Sequence, residues 1–222
     1  MKLYYPELND HNSHFQQGLR CLGRDVLRMG ALVESSFRLS HQAMFAQNLE
    51  AATEIDALDQ KIDRYYRKIE LECSTLLSKS VPASQDLRLV SAFMQLVRDL
   101  ERIGDYAEDL AEISIKLLPY TPHPCLQRIE SMSHNAQAML ALSLVALSNL
   151  DAGAGKTVKE LDDQVDTAYD EVYNTLAQQK DISGSVEPLL LLVLAIRCLE
   201  RMADHATNIG QRVAYIVTGQ RF

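Results

Sequence analysis

Apolar residues recur along this chain at the spacing of one helix face, in six long stretches. Over residues 11–47, Val26, Met29, Val33, Phe37 and Met44 fall on one such face. Asn48 breaks the pattern and is placed to cap a second helix running to about residue 79. That helix carries Ile55, Leu58, Ile62, Tyr65, Ile69 and Leu76 in a near-heptad stripe. Pro82 interrupts it, and Ser84 is the expected cap of a third helix lasting to about residue 118. Three prolines within PYTPHP, residues 119–124, cannot continue a helix and mark a boundary. A fourth helix follows over about 125–150, apolar in its later part. DAGAGK, residues 151–156, turns the chain into a fifth helix over about 157–180. Ser183-Gly184 turns it again into a sixth, about 186–217, with Pro188 in its first turn.

Helices of about 30 residues reach roughly 45 Å. Short connections between them force antiparallel neighbours. The fold expected is therefore all-α: two tandem, similar three-helix antiparallel bundles related by an internal repeat. Residues 1–118 form the first, 119–124 a linker, and 125–222 the second.

The polar positions repeat as well. RDLERIGDYAEDLAE (residues 98–112) returns as RCLERMADHATNIGQ (197–211), 99 positions later. Each copy sets oxygen-bearing side chains at i, i+4 and i+8: Glu101, Asp105 and Asp109, then Glu200, Asp204 and Asn208. On a helix these make a slowly drifting row. LDQKID (58–63) likewise returns as LDDQVD (161–166), 103 positions on, adding Asp59 with Asp63 and Asp162 with Asp166. In an antiparallel hairpin, positions equally far from the turn lie level. The Asp59/Asp63 and Glu101/Asp105 pairs are equidistant from Pro82, and the Asp162/Asp166 and Glu200/Asp204 pairs are equidistant from Ser183. Each bundle should thus hold four carboxylates side by side.

Carboxylates so gathered repel one another unless protonated, paired or bound to cations. Ion pairing with the neighbouring arginines is the plain alternative, worth a few tenths of a kcal/mol per helix-surface pair. All-oxygen sites favour Mg, Ca, Mn or Fe over Zn or Cu. The repetition favours metal, with Fe, Mn or Mg as the divalent or trivalent ion and Asp109 and Asn208 as additional ligands. Gly104, Ala107, Ala203 and Ala206 are small enough to let helices approach closely. His205, whose repeat counterpart is Tyr106, reads as structural, with reach to a metal as the alternative.

Composition narrows the rest. A formal net charge of −8 with no basic cluster argues against nucleic acid. The four cysteines are scattered and read as small apolar residues inside helices. The start of the sequence carries no signal-peptide pattern. The longest unbroken apolar run, residues 189–196, is far short of the ~20 residues that span a bilayer, so a cytoplasmic location is expected. Neither a G-x-x-x-x-G-K-[ST] loop nor a G-x-S-x-G elbow is present.

ERIGDYAEDLAE and ERMADHATNIGQRVAYIVTG, each preceded by a D-x-x-x-D helix, strongly resemble the PhoU family. Asp109 stands where the family pattern has Asn, and Met202-Ala203 where it has Ile-Gly. The resemblance implies two three-helix bundles, with metal clusters in some members on the paired acidic motifs. It implies a non-enzymatic negative regulator of phosphate uptake and the phosphate-starvation response, linking a phosphate ABC transporter to a sensor histidine kinase. Membrane association would come through those partners, since no basic amphipathic helix is present; self-association is left open. The alternative is a carboxylate-bridged metalloenzyme of the helical-bundle type. Such sites typically use Glu-x-x-His spacing, which neither motif has.

Overall fold

The computed structural model describes residues 13–79, 83–180 and 184–220. Among these, six α-helices are present: α1 Ser13–Phe45, α2 Leu49–Lys79, α3 Ser84–Leu117, α4 Leu126–Asn149, α5 Gly155–Ala177 and α6 Glu187–Thr218. Asn48 caps α2 as expected, its side-chain oxygen accepting from Ala51 N at 3.2 Å. Ser84 does not cap α3. Ala83 holds the capping position in an extended conformation with no side-chain bond, and Ser84 is the first helical residue. The chain leaves α1 through Gln47 in the left-handed region, and α4 through Leu150 likewise. Asp151 then accepts from Gly153 N at 2.8 Å, holding a 3₁₀ turn over Ala152–Ala154. Pro188 does sit in the first turn of α6. Pro82 and Ser183, the expected hairpin midpoints, lie outside the described residues.

α1, α2 and α3 pack on one another, as do α4, α5 and α6, giving the two bundles. Their apolar stripes do not form separate cores. Phe37, Phe93, Leu96 and Leu100 of the first bundle and Met139, Leu199 and Met202 of the second belong to one continuous buried cluster. The cysteines are all free thiols. Cys73 and Cys198 are buried within helices as expected, but Cys125 is buried just before α4.

Two antiparallel helix pairs join the bundles. In the α3–α6 seam, Asp99 is buried to 6% exposure and faces His205 Nδ1 at 2.9 Å. Asn208 donates to the same oxygen at 3.4 Å and Arg212 Nε to the other at 3.2 Å. His205 stacks on Tyr106, its own repeat counterpart, at 6.1 Å between ring centroids. Two equivalent residues in contact place them near the pseudo-twofold axis, with His205 held between Asp99 and Tyr106.

The α1–α4 seam has two unlike ends. At one, Leu144 of α4 lies so near Gly30 of α1 that a Cβ there would sit 2.5 Å from the leucine. At the other, His41 of α1 lies over Ser133 of α4, Nδ1 to Oγ 3.0 Å. Burial first, and the adjacent His134 second, hold the His41 imidazole below its ordinary pKa.

Candidate metal centres

The hairpin geometry brings the acidic pairs together. In the first bundle the carboxyls of Asp59, Glu101 and Asp105 are all pushed above the usual carboxylate range, chiefly by burial. Their neighbours add to the effect: Asp63 and Glu101 act on Asp59, Asp105 and Asp63 on Glu101, and Asp59 and Asp63 on Asp105. All four residues are within electrostatic reach. Gly104 makes this approach feasible, since a Cβ there would come to 3.2 Å from Ile62 Cδ1 and 3.9 Å from Asp59 Oδ1. The second bundle repeats the arrangement. Burial raises Asp166 and Glu200, Asp162 and Asp204 adding on the former and Asp204 and Asp166 on the latter.

Cations hold parts of each row. Arg102 lies 3.6 Å from Glu101 and 3.2 Å from Asp105, and Arg67 lies 2.5 Å from Asp63. In the second row Arg197 lies 2.7 Å from Glu200, Arg201 2.6 Å from Asp204, and Lys159 3.0 Å from Asp162. The ion-pair alternative is thus partly realised. Yet one oxygen in each row, Asp59 Oδ1 and Asp162 Oδ1, is buried with no hydrogen-bond partner among the described residues. These two stand at equivalent repeat positions. An orphaned carboxylate oxygen is costly to bury, and a cation would satisfy it. Two such oxygens at matched positions fit a metal, and the all-oxygen donors fit Fe, Mn or Mg.

Asn208 leaves its row, whereas Asp109 still acts on the Asp105 carboxyl while also reaching the seam. An i+8 step turns about 80° past two full helix turns, whereas i+7 falls about 20° short. Asn208 is accordingly in the seam, on Asp99. Asp109 faces the seam from the other side, close enough to Cys198 to help burial push that thiol up to about 12. Cys198 is the repeat counterpart of Asp99, so the two contacts are pseudo-symmetric.

The i+7 positions are the ones sequence reasoning missed. Glu108 lies beside Asp59 and Asp56, and its carboxyl is raised by burial and then by both. Its counterpart Thr207 has a buried hydroxyl oxygen with no partner among the described residues. The signal was in the sequence: Glu108 is seven residues from Glu101, and Asp56 three from Asp59.

An all-helical tandem repeat with an acidic row across one hairpin of each unit defines the class of this protein. Two stretches, residues 26–114 and 129–213, match the model of the PhoU domain. The chain belongs to the PhoU family. It is 61% identical over 213 residues to the phosphate-specific transport system accessory protein PhoU homolog of Synechocystis sp., covering 96% of this chain and 95% of that one. The PhoU crystal structure from Pseudomonas aeruginosa superposes with a TM-score of 0.86 at 30% identity, covering 93% of this chain and 100% of the other. The phosphate transport system regulatory protein PhoU from Streptococcus pneumoniae does so at 0.85 and 28%, covering 94% and 99%. These relatives bear the names of accessory and regulatory proteins rather than of enzymes. No helix among the described residues is long and apolar enough to cross a membrane.

Proposed function

We propose that this chain is a cytoplasmic negative regulator of phosphate uptake and of the phosphate-starvation response, linking a phosphate ABC transporter to a sensor histidine kinase. Its likeness to accessory proteins of phosphate-specific transport over nearly the full chain supports the role. The observation that carries the metal part is the matched pair of orphaned oxygens, Asp59 Oδ1 and Asp162 Oδ1. Asp59, Asp63, Glu101 and Asp105 would hold one centre, and Asp162, Asp166, Glu200 and Asp204 the other. A bound cation supplies positive charge that lets each row stay ionised without mutual repulsion. The chain's own residues set the rest: Arg102 tethers Glu101 and Asp105, Arg201 tethers Asp204, and Gly104 admits α2 to α3.

The test is complementation in a bacterium lacking its own phosphate-uptake regulator, read with a phosphate-starvation reporter in phosphate-rich medium. Restored repression is expected. Persistent high expression from a folded protein would overturn the signalling role. Full repression by a protein carrying both Asp59→Asn and Asp162→Asn, shown to bind no metal at the acidic rows, would remove those metals from the mechanism.

A further inference from the structure

The histidine end of the α1–α4 seam holds a third ligand cluster of different chemistry. His41 on α1 meets Glu130 and His134 on α4, and one ligand atom from each lies within 4.8 Å of the others. Glu130 and His134 are spaced i, i+4, so one helix face presents both. The His41 and His134 ring centroids are 4.4 Å apart. His41 Nδ1 is engaged by the buried Ser133 hydroxyl, which also accepts from Gln137 Nε2 at 3.4 Å. That fixes the ring and leaves Nε2 for another partner, the usual outer-shell arrangement of a ligating histidine.

The repeat shows that packing does not require these residues. With the offset of 103 that aligns Asp59 with Asp162 and Asn48 with Asp151, His41 corresponds to Leu144, Ser133 to Gly30, and Glu130 and His134 to Leu27 and Ala31. The equivalent end of the seam is closed by Leu144 over Gly30 with apolar neighbours. One end of a pseudo-symmetric seam is apolar, and the other gathers two imidazoles and a carboxylate.

We propose that His41, Glu130 and His134 form a binding site for a borderline divalent cation, Zn²⁺ above Mg²⁺ or Mn²⁺, separate from the acidic rows. Three protein ligands of the His₂Glu type leave a fourth position for water or for a group from a partner. Tetrahedral bonds of 2.0–2.1 Å set ligand atoms roughly 3.4 Å apart. Closing from the present spacing takes at most about 1.4 Å, which the exposed His134 side chain can supply by rotation. Imidazole donors suit Zn, Cu, Fe or Ni, whereas carboxylate-only rows favour Mg or Mn, so Zn²⁺ offered with excess Mg²⁺ separates the two kinds of site.

The experiment titrates Zn²⁺ into the metal-stripped full chain with excess Mg²⁺ present, and records the visible spectrum with Co²⁺ as the probe. One tight equivalent of Zn²⁺ is expected, together with the visible bands of four-coordinate Co²⁺. His134→Ala, whose side chain is exposed, and Glu130→Gln should each weaken Zn²⁺ by at least about 100-fold, the upper end of what disturbing an outer-shell partner costs. His41→Leu, which installs the residue of the repeat counterpart, should fold and lose the same equivalent. Asp59→Asn with Asp162→Asn should leave it intact. Unchanged Zn²⁺ affinity in His134→Ala overturns the site whether or not His41→Leu folds. So does loss of the equivalent in the acidic-row variant alone. Failure here leaves the reading of the acidic rows standing, because it rests on other residues.

Discussion

Where the first bundle places Asp56 and Glu108, the second places Lys159 and Thr207. The first row thus gathers six carboxylates, Asp56, Asp59, Asp63, Glu101, Asp105 and Glu108, with Arg67 and Arg102 paired to three of them. The second has five, Asp162, Asp163, Asp166, Glu200 and Asp204, and Lys159 lies across one end, 3.0 Å from Asp162 and 3.1 Å from Asp163. Those two carboxylates raise the lysine's pKa and hold it charged. One backbone scaffold therefore carries a more anionic row and a more neutralised one. The scaffold depends on residues the halves share, such as the buried Ile62 and Val165. The charge depends on positions one turn away, where the halves differ.

The largest difference between the halves should appear at the seam. Asp99→Ala removes the acceptor of His205, Asn208 and Arg212 and should cost about 3 kcal/mol in denaturant unfolding, the low end for breaking a buried charge pair because Arg212 is partly exposed. Cys198→Ala, the equivalent change in the other helix, should cost about 1 kcal/mol. Equal losses would mean that the seam is carried by packing alone.

Next comes cation affinity. In an Asp162→Asn/Glu200→Gln protein only the first row is intact, and in Asp59→Asn/Glu101→Gln only the second. The first row should bind Mn²⁺ roughly tenfold more tightly, since affinity follows ligand charge. Matching affinities by calorimetry would break the comparison. Lys159→Ala should then tighten the second row by roughly threefold to fivefold, the range of an exposed ion pair worth up to about 1 kcal/mol. A weaker site after that substitution would show that the lysine positions Asp162 rather than competing for it.

The smallest effect is on pH. Asp59, Glu101, Asp105 and Glu108 in the first row, and Asp166 and Glu200 in the second, keep their protons to higher pH than exposed carboxyls, with burial the leading cause. Between the ordinary carboxylate range and those raised values the folded chain binds more protons than the unfolded one. The rows' contribution to metal-free stability therefore falls as pH rises through that window. Thermal melts should show a slope that Mn²⁺ removes. It should be shallower in Asp59→Asn/Glu101→Gln than in Asp162→Asn/Glu200→Gln. The reverse order would place the stronger coupling in the second row.

Six helices and the level placement of the acidic pairs were legible because they depend on local periodicity and on distance from a turn. Asn208 was misplaced because a spacing of i+8 looks regular in sequence but leaves the face by most of a right angle, and Asp109 is drawn partly toward the seam for the same reason. Glu108 and Asp56 were overlooked for the same reason, since their spacing of seven and three does not match the E-x-x-x-D pattern. Ser84 looked like a cap by residue type alone, although Ala83 has the extended backbone that position needs. The Asp99 network and the His41 cluster were beyond reach of such reasoning. Each joins helices from different bundles, and nothing in either hairpin states how the bundles meet.

The linker over residues 119–124 has a further consequence. In a symmetric dimer of single three-helix units every substitution appears twice, so a lysine at the end of one acidic row would also sit at the end of the other. Joining both units in one chain lifts that constraint, and each position of the repeat can change alone. Asp56 can be acidic while its counterpart Lys159 is basic, and Leu144 apolar while its counterpart His41 is an imidazole. Covalent connection gives a pseudo-symmetric backbone room for a division of labour.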